Sequence, residues 1–392
     1  MSTGVATWEG KAVSCGQIEG QLQRLWMAAD SDWNGDGPRP DIRTSVLNLI
    51  AYAPNEACCE RTTRALEQLS GTHPSRAIII VPGDAMGESS IDCRLAIRSH
   101  GAYAEYRQVC SEQMVLRVNG QATRHLASIV MPLLAPDLPV FLWWLGETPF
   151  HHHVYGQLRD IADRFIVDSS DFSDPTRDLV AMSHNVHAAG DRTAFSDFNW
   201  ARLAPWRELI AQFFDSPQFR PFLDRITVMW VECAPAKDRL VHVMPQVLLL
   251  GGWFAASLDL HAEQRNLSPE HYELRLRNGT RALAIDIRVG TLRDGTPVKI
   301  RLEAPAVGGN PPAEFAVTAE VNTGRVTATA KIGRAEPVVR RSMVVDRSEP
   351  HLLFEELELF GHDRTYEKAL HAAANMLDPT YRRELVKGSL LV

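Results

Sequence analysis

The 392-residue sequence has no apolar run approaching the roughly 20 residues of a membrane span. Its first residues, MSTGVATWEGKAVSCGQIEGQL, lack a basic region followed by an apolar one, so a membrane partner is not expected and a cytoplasmic location is. Nucleotide-binding signatures are missing too: there is neither G-x-G-x-x-G nor a Walker A stretch, and no G-x-S-x-G elbow marks a serine nucleophile. Six cysteines (Cys15, Cys58, Cys59, Cys93, Cys110 and Cys233) show no C-x-x-C, which excludes a zinc ribbon or a thioredoxin-type pair and leaves reduced thiols as the expectation. Cys58 and Cys59 are neighbours in a predicted helix, where side chains diverge by about 100° and a mutual bridge would strain the backbone. A surplus of acid, 48 Asp+Glu against 41 Lys+Arg, gives a formal net charge of -7 and no broad field for phosphate backbones, so nucleic acid is not an expected partner.

What is present is ample material for burial, 45% hydrophobic residues in a chain longer than one compact core usually holds. Two domains are expected, 1–170 and 171–392. In the first, short apolar runs alternate with helical stretches, the pattern of an α/β domain. SVLNLIAYA and RAIIIVPGD read as buried strands around the helix NEACCERTTRALEQLSG, which Asn55 caps and Gly71 stops. CRLAIRSHG and QMVLRVNG add two strands, so the sheet is predicted to be mixed. Asn119-Gly120 then turns into a predicted helix, QATRHLASIVMPLL. PVFLWWLG fits a strand buried on both faces, YGQLRDIADR a helix and FIVDSSDF a strand. Residues 174–215 read as helical. A strand, RITVMWVECA, and a helix, PQVLLLGGWFAASLDL, lead into five alternating strands with Asn278-Gly279 and Asp294-Gly295 as hairpin turns. The second domain is therefore predicted as α+β, an antiparallel sheet with one wet face, closed by terminal helices that include HLLFEELELFG and a helix capped by Asp363. Asp30 to Asp41 and Ala304 to Pro312 read as loops.

Side chains that suggest chemistry are few. His151, His152 and His153 are consecutive and cannot converge on one ion in regular backbone, so they read as a solvated run. His184 and His187 lack an H-E-x-x-H arrangement. Pro82 to Ser90, PGDAMGESS, follows a strand and carries two glycines and hydroxyls, the best candidate for a phosphate-holding loop, with a plain connection as the simpler reading. Gly251-Gly252 inside an apolar helix costs roughly 1 kcal/mol per glycine relative to alanine, and close helix packing is the simplest reason for it.

Two segments are more distinctive, PDLPVFLWWLGETPF from Pro136 to Phe150 and SDFNWARLAPWRELIAQFFD from Ser196 to Asp215. In the latter, Trp206, Leu209, Ile210, Phe213 and Phe214 make one apolar helix face that must be buried. Trp143 and Trp144 alternate in a strand and point to opposite faces. With RTSVLNLIAYAP, HPSRAIIIVP, ADRFIVDSSDF and the closing HLLFEELELFGHDRTYEKAL, these blocks make the chain resemble the OpcA family over most of its length. The resemblance implies a non-catalytic protein, without a cofactor or metal, that assembles or allosterically activates glucose-6-phosphate dehydrogenase and so supports the oxidative pentose phosphate pathway and NADPH supply. Trp143, Trp144, Trp200, Arg202, Trp206 and Arg207 are the candidate partner-binding residues, with a core role as the other reading of the tryptophans. One departure from the family pattern is Leu145, where a basic residue is expected after the double tryptophan. The rival readings are a sugar-phosphate enzyme or a small-molecule-sensing module using the Pro82 to Ser90 loop.

Overall fold

A computed structural model describes residues 5–31, 45–69, 73–101, 108–233, 244–268, 271–279, 281–289, 297–320, 325–343 and 347–378. The Gly71 helix stop, the Asp294-Gly295 turn and most of the Asp30 to Asp41 stretch lie outside them, as do the side chains of Cys110 and Cys233. Cys15, Cys58, Cys59 and Cys93 form no disulfide.

Two compact units emerge, interleaved along the chain. The first takes Met1–Asp168, Ala189–Ser196 and Ser348–His362, and the second takes Ser169–Ala188, Asp197–Arg347 and Asp363–Val392. Strands of the first sheet are β1 (Val5–Gly10), β2 (Leu47–Tyr52), β3 (Ser75–Pro82), β4 (Ser90–Gly101), β5 (Gln108–Asn119), β6 (Val140–Trp144), β7 (Arg164–Val167) and β8 (Ala194–Asp197). They lie in the order β1-β4-β5-β3-β2-β6-β7-β8. β5, β3, β2, β6 and β7 run parallel, while β4 is antiparallel to β5 and β1 to β4, so the sheet is mixed. Every residue of β2, β6 and β7 is buried, because unbroken apolar runs such as LNLIAY and VFLWW leave neither face to water.

Helices of this unit are α1 (Cys15–Ser31), α2 (Glu56–Leu69), α3 (Leu126–Val130) and α4 (Tyr155–Arg159). Asn55 caps α2, its side-chain oxygen accepting from the Cys58 amide at 2.9 Å. The long helix predicted from Gln121 is instead three short pieces. His125, at φ −128° and ψ 40°, separates a 3-10 turn from α3, and Pro132 opens a second 3-10 turn over Met131–Leu133. The stretch from Tyr155 likewise keeps a single helical segment. β8 falls within residues read as helical, and the sequence pattern carried no signal for β1 and α1. The late segment 348–362 joins this unit through Arg164, which donates to the Ser196 hydroxyl and the Gly361 carbonyl and lies 3.7 Å from Glu356.

The second unit holds α5 (Pro175–Ala189), α6 (Phe198–Arg202), α7 (Ala204–Phe214), α8 (Arg220–Leu223), α9 (Met244–Ser257) and α11 (Arg364–Leu377), with α10 (Glu349–Leu357) belonging to the first. Its sheet has the order β10-β11-β12-β9-β13-β14-β15-β16. The strands are β9 (Val228–Cys233), β10 (His261–Ser268), β11 (His271–Asn278), β12 (Arg281–Val289), β13 (Pro297–Ala304), β14 (Ala313–Glu320), β15 (Arg325–Ile332) and β16 (Val338–Met343). Only the β12–β9 pairing is parallel. Alternation sets the faces: Met229, Ile285, Leu302 and Phe315 are at most 1% exposed, and on the helix-covered side Phe213, Phe214, Phe219 and Phe222 ring Phe315 at 5.0–6.3 Å.

α9 and α11 cross closely. A Cβ added at Gly252 would collide with the Ala369 carbonyl and come within 2.9 Å of the Ala373 amide, whereas one at Gly251 would meet only the side-chain ends of Ile285 (3.1 Å) and Met376 (3.4 Å). Gly252→Ala is expected to destabilise the protein by about 1–3 kcal/mol, as for an overpacked core. Gly251→Ala should cost less, because side-chain ends yield and backbone does not. Equal losses for the two variants in urea titrations would show that the close crossing is not what requires glycine.

Candidate functional site

The chain leaves β2 for β3 and β5 on one side, then returns to β6 and β7 on the other, so the strand order reverses between β2 and β6. In open α/β sheets the crevice outside the carboxyl ends of the strands at such a reversal is the usual ligand seat. In this chain aromatic side chains gather at the ends of the two strands. Tyr52 ends β2, Trp144 ends β6, and their rings stack at 3.9 Å with 14° between planes. His152 meets both rings edge-on at 5.3 Å, its Nε2 lies 3.1 Å from the Tyr52 oxygen, and the Val154 amide donates to its Nδ1 at 3.4 Å. Tyr155 joins at the edge of Trp144 and Phe150. The histidine run is thus not uniformly solvated: His151 and His153 are exposed, but half-buried His152 is held by the aromatic pair.

The turn after β2 is Ala53-Pro54-Asn55-Glu56, where proline removes one backbone donor and Asn55 takes another. Glu56 in the first turn of α2 pairs with Arg117 through bonds of 2.6 and 2.9 Å, and this partner holds its carboxyl below the ordinary value. An anion would meet a carboxylate at this helix end rather than free amides. Leu145 is 1% exposed, and its amide donates to the Tyr52 carbonyl, so the position after the double tryptophan lies inside the fold. The Pro82 to Ser90 loop is exposed over residues 83–89, and Ser89 and Ser90 accept from the Gln121 amide and the Asn119 side chain. No cluster of three or more His, Cys, Asp or Glu fit to hold a metal occurs among the described residues, and none of their helices is long and apolar enough to cross a membrane.

Residues 196–215 build a second constellation. Asp197 caps α6, its Oδ1 accepting from the amides of Asn199 (2.9 Å) and Ser169 (3.0 Å). The Asn199 side chain donates to the Ser169 hydroxyl and accepts from Arg202 and Gln246, each at 2.9 Å. Trp200 donates its indole N–H to Asp363 at 2.8 Å, and Arg207 lies over the Trp200 ring at 3.3 Å while donating to its carbonyl. Trp143, Trp144, Trp200 and Trp206 are between 0% and 7% exposed, and Arg202 and Arg207 are half-buried. Trp143 and Trp144 share a strand, Trp200, Arg202 and Arg207 share the polar cluster, and Trp206 faces inward on α7 with Leu209, Ile210, Phe213 and Phe214. Sequence reasoning missed Tyr52 and His152, since a stacked pair across parallel strands leaves no trace in local spacing.

Both constellations can be probed through stability. Burial, and then the neighbouring His153, lower the pKa of His152, so the unfolded chain takes up this proton first as pH falls below the ordinary histidine value of about 6.5. Its contribution to stability is therefore present above that pH and declines on acidification through the lowered folded value. Melting temperatures measured from pH 8 to 5 should fall at the acidic end, and His152→Gln should flatten that part of the curve. Trp206→Ala should cost about 3–5 kcal/mol, as for a buried aromatic; a variant that melts like its parent but loses a binding partner would instead make Trp206 a contact residue.

Two family models match the chain. One, described as the N-terminal domain of a glucose-6-phosphate dehydrogenase subunit, matches residues 66–184, and the other, described as the C-terminal domain of that subunit, matches residues 193–370. Three cyanobacterial proteins named putative OxPP cycle protein OpcA are similar. The one from Synechococcus elongatus is 27% identical over 85% of this chain and 71% of its own length, and the one from Nostoc punctiforme 26% over 80% and 67%. The one from Synechocystis sp. is 27% identical over 53% of this chain, a match that spans only 42% of that protein. Among solved structures, levoglucosan dehydrogenase in complex with NADH aligns at a TM-score of 0.48 and 8% identity, over 86% of this chain and 97% of that one, a likeness too slight to bear on function.

Proposed function

Because the chain belongs to the OpcA family, we propose that it binds glucose-6-phosphate dehydrogenase and promotes its assembly or active conformation, with no catalytic site of its own. The observation that carries this reading is the pair of family matches, whose descriptions name that dehydrogenase and which together run from residue 66 to residue 370 with one short gap. The contents of the β2/β6 crevice support the non-catalytic part. A dinucleotide needs bare backbone amides at a glycine-rich turn, and Tyr52, Trp144, Pro54 and Glu56 stand there instead. On this reading the protein works in the cytoplasm and raises the NADPH supply of the oxidative pentose phosphate pathway.

An effector of this kind acts by binding the active state of the enzyme more tightly than the inactive one. A difference of about 1–3 kcal/mol shifts the balance roughly 5 to 150-fold, within reach of a modest interface. Mixed with the dehydrogenase of the same organism, the chain is expected to form a complex and raise activity most at low glucose 6-phosphate, while the purified chain alone turns over neither glucose 6-phosphate nor NADP. If it shifts a population, activation saturates with complex formation and shrinks at saturating substrate; if it drives assembly, activation follows oligomer size and persists. Kinetics with parallel size measurement separate the two, and neither complex nor rate change at micromolar concentrations would sink the proposal.

A further inference from the structure

Two serines lie side by side in the interior of the first unit, on the face of its sheet that α2 covers. Ser75 of β3 immediately precedes Arg76, which pairs with Glu112 of β5, so the neighbour of Ser75 is Ser111. Arg98 of β4 pairs with Ser111 in turn, and side chains in register point to one side of a sheet. Ser75 is 6% and Ser111 8% exposed, and among the described residues neither hydroxyl has a hydrogen-bond partner. Both line one cavity, bounded above by Leu66 and Leu69 of α2 and by Leu357 of α10. A buried hydroxyl without a partner forfeits the bonds it makes to water in the unfolded chain, so two of them at one cavity require an explanation.

Size and spacing select the occupant. The space open to the centre of a water molecule is about 10 Å³, room for about one water. Neighbouring strands lie about 4.8 Å apart, too far for one hydroxyl to bond the other, but a single water reaches both through bonds of about 2.8 Å. Gln113, one pair further along β5, adds a third polar group to the lining: its amide nitrogen donates to the Thr63 hydroxyl at 3.1 Å, which leaves its carbonyl oxygen as an acceptor. Charge disfavours an anion. Arg98 is paired with Glu67 at 2.5 Å, the Glu358 carboxylate lies 2.9 Å from His73 Nε2, and Arg76 is held by Glu112 at 2.6 Å, so no positive charge faces the cavity unopposed.

We propose that this cavity is a binding site for one ordered water, which bridges the Ser75 and Ser111 hydroxyls beneath α10. The proposal does not depend on the dehydrogenase reading. A high-resolution crystal structure of the full chain should show one water within about 2.5–3.0 Å of both hydroxyl oxygens. Ser75→Ala and Ser111→Ala should each lower the melting temperature by roughly 2 °C, because each leaves the water and the remaining hydroxyl short of a partner. The double variant should melt no lower than either single one, since it leaves neither hydroxyl to be satisfied. Crystals soaked in bromide should give no anomalous peak at the site. A density map without this water, a bromide peak in its place, or losses that add in the double variant would each overturn the proposal.

Discussion

The second unit depends on one carboxylate. Asp363 accepts from the amides of Thr365 and Tyr366 through one oxygen and from the Trp200 indole through the other. Those amides are among the orphan donors at the start of α11, so the same group that ends their isolation also ties α11 to α6, more than 160 residues earlier in sequence. α11 is then set against α9 closely enough that Gly252 has no room for a methyl group. Arg207 closes the other side of Trp200, stacking on its ring and donating to its carbonyl. The residues that make N-W-A-R-L-x-P-W-R-E-L recognisable therefore hold helices to one another and to the sheet. Their spacing looks like a binding motif because a tryptophan with a bonded N–H and a stacked guanidinium is demanding in geometry, in a core as much as at an interface.

In the first unit the constraint is topological. A parallel sheet that reverses strand order creates a crevice whatever its function, and that crevice must be filled by a ligand, by water or by the chain itself. Tyr52 and Trp144 stand stacked at the strand ends beside it. Burial raises the pKa of the Tyr52 phenol to about 12, so it stays protonated against His152, whose own shift favours the neutral ring. The Tyr52–His152 pair is thus neutral at physiological pH, while Arg159 lies over the Tyr155 ring at 5.6 Å and Glu56 in the following turn is tied to Arg117.

What was readable from sequence follows from the range of each interaction. Unbroken apolar runs such as AIIIV and VFLWW announce doubly buried strands because burial alone specifies them. Asn55, Asp363 and the Asn278-Gly279 turn were legible because a cap or a hairpin turn acts over a few residues. The break at His125 and Pro132 was harder, since a periodic apolar pattern persists through three short helical pieces. β8 was hidden for another reason: Ala194–Asp197 is too short to show alternation, and β7 and the buried Arg164, which donates to the Ser196 hydroxyl, give it its place. The Tyr52–Trp144 stack joins residues 92 positions apart, and nothing local records it.

These placements bear on where recognition can reside. A group that has already made its hydrogen bonds and lost its water offers a partner little, because any new contact must first break an old one. Trp144 is stacked, Trp200 is bonded and sandwiched, and Trp206 lies in an aromatic face against the sheet, so each supplies shape before it supplies contact. Apolar surface left to water is of another kind: in the turn after α10, Phe360 is 74% exposed beside Leu359 at 45%. A protein that binds a partner through its surface gains from this division. Its interior polar groups are spent on rigidity, so little of the binding energy at its surface is lost in ordering the protein that presents it.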